Sequence, residues 1–284
     1  MKRIKYFVFS LFIFSASSCQ QDHADKESKQ MDVPSSGDQS ENLSGEDIQE
    51  KSISPVFDLT YIMGKFDPST HPDFDSIDLK YADRRGMFLR KDAYADFKRM
   101  YDAAQKEGIS LQIRSAARNF DYQKGIWERK WTGETKIESG KDASVAYPNP
   151  LDRAKQILLY SSMPGTSRHH WGTDIDLNSF DNDWFREGEG LKVYTWMQKH
   201  ANEFGFCQPY TDKTQYERTG YEEERWHWSY MPISEPLTVQ AKKLLKNEMI
   251  SGFSGSEVAP TVNMVDNYVL GIHPDCLNKR SIWE

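Results

Sequence analysis

Positive charge is in short supply in this chain. Its 36 Lys and Arg stand against 43 Asp and Glu, a formal net charge of −7. That balance argues against a nucleic-acid partner, because phosphate binding needs basic patches. Cysteine is scarce too: Cys19, Cys207 and Cys276 are the whole complement. Neither Cys207 nor Cys276 lies near a recognisable base motif, which counts against a cysteine nucleophile. In an exported protein the two are available for a disulfide, which spacing alone does not establish. Ser161 and Ser162 lack a nucleophile elbow around them, so a serine hydrolase is disfavoured. There is no internal repeat, and no regular strand–helix rhythm of the kind a parallel sheet needs.

Nor does the chain open with the roughly 20 apolar residues that a spanning helix requires. Residues 1–19, MKRIKYFVFSLFIFSASSC, join a basic head, a shorter apolar run and a small-residue end. That is the build of a secretory signal peptide. Its last four residues, Ala16-Ser17-Ser18-Cys19, resemble a bacterial lipobox in which Ala16 replaces the usual leucine. Cys19 is then expected to be the lipidated first residue of the mature protein, with a plain signal peptide cut nearby as the alternative. Residues 20–54 contain no aromatic residue and set nine acidic side chains against three lysines. Such a stretch buries too little apolar surface to offset the entropy of ordering, so it reads as a disordered acidic tether. A single folded domain is expected over 55–284.

What is present there suits a real core: 38% of the chain is hydrophobic and 13% aromatic. Residues 91–107 place Ala93, Phe97, Met100 and Ala104 on one helical face, and Gly108 stops the run. Residues 109–115 alternate as Ile109, Leu111 and Ile113, the pattern of a half-buried strand. Helices are expected over 120–131 with Asn119 as cap, over about 151–161, and over 191–205 closed by Gly205. A last helix is expected over 235–247, with Ser234 as cap and Pro236 in the first turn. Residues 225–231 read as a strand. The sum is an α+β domain with an antiparallel sheet flanked by helices.

Two clusters carry chemistry. In residues 165–178, GTSRHHWGTDIDLN, Ile175 and Leu177 face one way while Asp174, Asp176 and Asn178 face the other. By itself this is the solvent face of a surface strand. Gly172 permits a tight bend, however, so a histidine before it can fold back over the polar face. In the second cluster, Glu224 to Trp228, the rings of Trp226, Trp228 and Tyr230 pack on one side and leave His227 and Ser229 on the other. A catalytic zinc typically takes three ligands from His and Asp/Glu and keeps one position open for water. His169, Asp176 and His227 could supply that set, with His170 and Asp174 as alternatives. Glu224, three residues before His227, could take a proton from the water.

The pattern Ser-x-His-x-x-Gly-x-x-x-Asp, met by Ser167, His169, Gly172 and Asp176, and Glu-x-x-His, met by Glu224 and His227 with Trp226 between, resemble peptidase family M15. This family holds the VanY-type D-alanyl-D-alanine carboxypeptidases and VanX-type dipeptidases, which share the hedgehog/DD-peptidase fold. The resemblance covers about residues 85–232 and leaves a C-terminal extension after it. It implies Zn2+ held by His169, Asp176 and His227, and Glu224 as general base. It also implies Arg118, in Ser115-Ala116-Ala117-Arg118-Asn119, on the carbonyl oxygen under attack, and Gln123 and Ser167 near the substrate. The chain departs from the family at Asp174, where alanine is usual, and at Ala116-Ala117, where Gly-Tyr is usual. The expected activity is trimming of peptidoglycan stem peptides ending in D-Ala-D-Ala by a lipoprotein of the cell envelope facing the periplasm. The same site would serve an L,D-carboxypeptidase, a D,D-dipeptidase or an endopeptidase, the choice resting on cleft shape set by residues 132–150 and the tail 250–284. A non-catalytic peptidoglycan-binding homologue is the rival from outside the enzymes.

Overall fold

The computed structural model describes residues 57–216 and 218–277, all of them within one unit, Ser52–Glu284. The expected signal peptide, Cys19 and the tether over 20–54 lie outside the described residues.

The elements run α1 (Leu59–Ile62), β1 (Phe74–Ser76), β2 (Phe88–Arg90), α2 (Lys91–Lys106), β3 (Ile113–Ser115), α3 (Phe120–Thr132), α4 (Ala143–Ala146), α5 (Pro150–Ile157), β4 (Asp174–Leu177), α6 (Gly188–His200), β5 (Phe206–Cys207), β6 (His227–Tyr230) and α7 (Met231–Leu244). The main sheet has the order β3-β4-β6-β5, and every neighbouring pair is antiparallel. Strands β1 and β2 form a separate two-stranded ladder. The fold is the mixed helix and antiparallel-sheet architecture expected from the sequence.

One face of the main sheet is an apolar core. Ile175 and Leu177 of β4, Phe206 of β5, and Trp228 and Tyr230 of β6 meet Ala93, Phe97, Met100 and Ala104 of α2 and Val193 and Met197 of α6. The spacing of the α2 residues put them on one stripe, and the sheet is what that stripe covers. A second core joins α3, α5, α7 and the C-terminal segment through Trp127, Ile157, Leu237, Ala241, Val258 and Ile272. On α3, Asn119 caps the helix by accepting from the Tyr122 amide at 2.8 Å.

Several boundaries differ from expectation. Only Ile113–Ser115 of the 109–115 run pairs as a strand; the Ile109 amide closes the preceding helix on Ala104 O at 2.9 Å. Helix α5 stops at Ile157. Helix α6 tightens into a 3-10 turn, Ala201–Phe204, before Gly205 at φ 80° ends it, a conformation that favours glycine. Helix α7 begins at Met231, four residues earlier than expected, with Pro232 in its first turn and Pro236 inside it. Ser234 does not cap this helix. Its hydroxyl points inward, 3.0 Å from Ser229 Oγ, so a side chain that looks like a cap is spent on a buried polar contact.

Cys207 at the end of β5 is joined to Cys276, 69 residues later, in a disulfide. Both cysteines are buried. Closing a loop of that length restricts the unfolded chain and contributes about 4 kcal/mol in the chain-entropy treatment. Reduction, or Cys207→Ser with Cys276→Ser, is expected to lower the unfolding free energy by about that amount. Denaturant midpoints with and without reductant measure it, and coincident curves would contradict it.

Candidate metal centre and active site

Strand pairing builds the site. In the register of β4 with β6, Asp176 lies opposite His227 and Asp174 opposite Ser229. Alternation turns Ile175, Leu177, Trp228 and Tyr230 into the core and the polar partners to the other face. That face is not solvent, as the strand alone suggests: β4 is buried along its whole length. Residues Arg168–Trp171 form a 3-10 turn over it, ended by Gly172 at φ 67°. A Cβ on Gly172 would come within 2.2 Å of Phe74 Cε1, so both the backbone angle and the space demand glycine. The turn carries His169 back over Asp176, with His169 Nε2 3.3 Å from Asp176 Oδ2.

His169, Asp176 and His227 each offer one ligand atom, and all three lie within 4.8 Å of one another. The His169 Nδ1–H donates to Ala116 O at 2.8 Å, which leaves Nε2 as the free lone pair. His227 Nδ1 faces Asp176 Oδ1 at 3.6 Å and Glu224 Oε2 at 2.9 Å. His169 Nε2 and Asp176 Oδ1 are buried without a hydrogen-bond partner. Buried polar atoms are rarely left so, and two of them within this cluster are lone-pair donors that a cation would satisfy. Two imidazole nitrogens and a carboxylate oxygen suit zinc with a position open.

The alternatives left by the sequence are occupied elsewhere. His170 donates from Nδ1 to Arg118 O at 2.6 Å and accepts at Nε2 from the Gly165 amide at 3.0 Å. Burial pulls its pKa down to about 3, so it is neutral and fully engaged. Asp174 accepts from Arg168 Nε at 3.1 Å, Thr173 Oγ1 at 2.7 Å, Ser229 Oγ at 2.8 Å and His227 Nε2 at 2.8 Å. Neither Arg168 nor this ring of partners was foreseen from the sequence.

Electrostatics follow from burial and pairing. Burial lifts Glu224 above the ordinary carboxylate value, and the His227 imidazole opposes that only in part. Burial works to raise Asp176, but the His169 and His227 imidazoles and Arg118 outweigh it and hold it low. Burial and then the Arg118 charge depress His169. In His227, burial acts downward and is overcome by the Asp174 and Glu224 hydrogen bonds, so the imidazole is pushed up to about 9.

These groups line a cleft of about 900 Å³ with Arg118, Gln123, Lys130, Glu138, Tyr160, Phe180, Tyr210, Tyr221 and Trp226. That is ample for a short peptide. Arg118 Nε is buried without a partner. Gln123 donates to Ser162 O at 2.8 Å and keeps its Oε1 unpaired. Ser167 is buried behind the turn with an unpartnered hydroxyl and does not line the cleft. Ile137, Glu138 and Ser139 of the 132–150 stretch line it, as expected. No described residue of the tail does so.

A family model described as VanY, D-alanyl-D-alanine carboxypeptidase, matches residues 86–233. The putative carboxypeptidase YodJ of Bacillus subtilis is 30% identical over 190 residues. The match covers 65% of this chain and 62% of YodJ, so the chain spans less than two thirds of that relative. A solved structure of VanYB in complex with D-alanine-D-alanine is 22% identical, with a TM-score of 0.44 over 62% of this chain and 87% of that one. A solved vancomycin-resistance D,D-pentapeptidase VanY in complex with Zn(II) is 23% identical, with a TM-score of 0.42 over 62% and 89%.

The raised His227 pKa has a thermodynamic consequence in metal-free protein. Its folded value of about 9 stands above the roughly 6.5 of an unfolded histidine. The stabilisation from the charged imidazole is therefore full below about pH 6.5 and is lost as pH rises through about 9. Thermal melts of chelator-treated protein are expected to fall across that window. His227→Gln should remove that component of the slope, and wild-type melts flat with pH would contradict the assignment.

Proposed function

Since the chain belongs to the VanY family of D-alanyl-D-alanine carboxypeptidases, we propose that it is a zinc peptidase removing the terminal D-alanine from peptidoglycan stem peptides. The observation that carries this reading is the convergence of three ligand atoms within 4.8 Å, with Glu224 2.9 Å from the third ligand. His169 Nε2, Asp176 and His227 Nδ1 would hold the ion. Zinc bound there would supply positive charge to the scissile carbonyl and make a water molecule more acidic.

The chain's own groups do the rest. Glu224, whose pKa is raised by burial, takes a proton from the attacking water and passes it to the leaving amine. Arg118, which lines the cleft, donates to the carbonyl oxygen as negative charge develops there. Gln123 Oε1 is free to accept from a substrate amide. The buried walls around Tyr210 and Tyr221 exclude bulk water and strengthen each of these contacts. The substrate lies outside the cytoplasm, which agrees with residues 1–19 as an export signal, Cys19 as a lipid anchor and residues 20–54 as a tether. Among the described residues, no helix is long and apolar enough to cross a membrane.

Glu224→Ala is expected to retain zinc while hydrolysis falls about a hundred- to ten-thousand-fold, a typical general-base loss. Arg118→Ala should reduce kcat about a hundred- to a thousand-fold with a smaller change in KM. Mass analysis of defined pentapeptide muropeptides reads both, since loss of a single D-alanine separates this activity from dipeptide release and cross-link cleavage. Undiminished turnover in Glu224→Ala, with zinc bound, would refute the mechanism.

A further inference from the structure

Resting on the reading of His169, Asp176 and His227 as metal ligands, we propose that Asp174 is a positioning residue for His227. With Arg168 behind it, Asp174 fixes the Nε2–H tautomer and turns Nδ1 toward the metal.

The network is built entirely inside the protein. Asp174 is 0% exposed and Arg168 1%. Burying a carboxylate or a guanidinium alone is strongly unfavourable, so such groups persist only when paired and hydrogen-bonded. Here both are. Arg168 spends Nε on Asp174, one terminal nitrogen on Thr238 Oγ1 at 3.0 Å and the other on Ser229 Oγ at 2.7 Å. Its guanidinium also lies 4.7 Å over the Trp171 ring. Ser229 passes a hydrogen on to Asp174 Oδ1, and Thr173 Oγ1 reaches the same oxygen.

Asp174 Oδ2 is thus clamped by Arg168 and faces His227 Nε2 at 2.8 Å. An ionised carboxylate can only accept, so His227 must carry its hydrogen on Nε2. Nδ1 faces Asp176 Oδ1 at 3.6 Å and Glu224 Oε2 at 2.9 Å, so it is the nitrogen that would give up its proton to hold an ion, Nε2 staying committed to Asp174. His169 is held differently, through Nδ1 to the neutral Ala116 carbonyl. The two histidines therefore present opposite ring nitrogens, and only His227 is backed by a full negative charge. A carboxylate behind a ligand imidazole raises its basicity and locks its ring, and losing such a partner typically weakens metal binding 10- to 100-fold.

Removing Asp174 alone would strand Arg168, so the informative variant removes both charges. Arg168→Met with Asp174→Ala is expected to fold, because apolar groups can replace a buried ion pair at little loss. Zinc affinity, from competition with a chromophoric chelator, should fall about 10- to 100-fold. The second measurement uses zinc-loaded wild-type protein and needs no variant. Imidazole 15N shifts should show His227 metallated at Nδ1 and protonated at Nε2. A folded double variant that binds zinc as tightly as wild type, or His227 metallated through Nε2, overturns the positioning role and leaves the metal site standing. Wild-type protein that takes up no zinc overturns the site itself. Should the double variant fail to fold, the 15N shifts decide alone.

Discussion

The pairing of β4 with β6 is the constraint on which the rest of the molecule depends. It sets Asp176 against His227 and Asp174 against Ser229, and it does so where both strands are buried. A shift of one residue would drive the aspartates into the core that Ile175, Leu177, Trp228 and Tyr230 now fill. The apolar side therefore specifies the register, and the register specifies the site. Phe97, Met100 and the other residues of the α2 stripe thereby help place polar side chains on the opposite face.

Charge burial is the second half of the same constraint. Arg168, Asp174, Asp176, Glu224 and three histidines sit within a few per cent of full burial. Each would be prohibitive alone. Together they form two tiers. The rear tier, Arg168 with Asp174, is saturated by hydroxyls from Thr173, Ser229 and Thr238. The front tier, His169 and Asp176, keeps atoms unpaired, and the imidazole of His227 joins the two tiers. The saturated rear tier holds the front tier in place, and groups already held need not be ordered if a ligand arrives.

Periodicity made much of this readable in advance. The spacing of Ala93, Phe97, Met100 and Ala104, the cap at Asn119 and the stops at Gly108 and Gly205 are local signals with local causes. The ligand trio was approached through residue types and the bend at Gly172, and the choice of His169 over His170 needed the family pattern. Alternation shows which residues share a face, but not whether that face meets water or another strand. The sequence therefore left Asp174 as an alternative ligand beside the site and did not name its partners His227 and Ser229, which lie 53 and 55 residues away. Ser234 failed as a cap for the same reason: its partner Ser229 belongs to a neighbouring element. What sequence pattern could not supply was contact between distant segments.

The C-terminal segment extends that logic through contacts between distant parts of the chain. None of its described residues lines the cleft, yet Tyr268 stacks edge-on to Tyr221 at 5.1 Å, Tyr221 meets Tyr210 at 4.9 Å, and Tyr210 meets the His227 ring at 4.8 Å. The His273 amide bonds Pro209 O at 2.8 Å, and the disulfide fastens Cys276 to Cys207. The wall holding Tyr210 is thereby tied at Cys207 and Pro209 and packed from behind through Tyr221. Strand β5 is only two residues long and lies at the edge of the main sheet, where ladder hydrogen bonds alone hold it weakly. Where the sheet is shortest, a covalent tie and a relay of aromatic rings thus link the C-terminal segment to the ring that packs against His227.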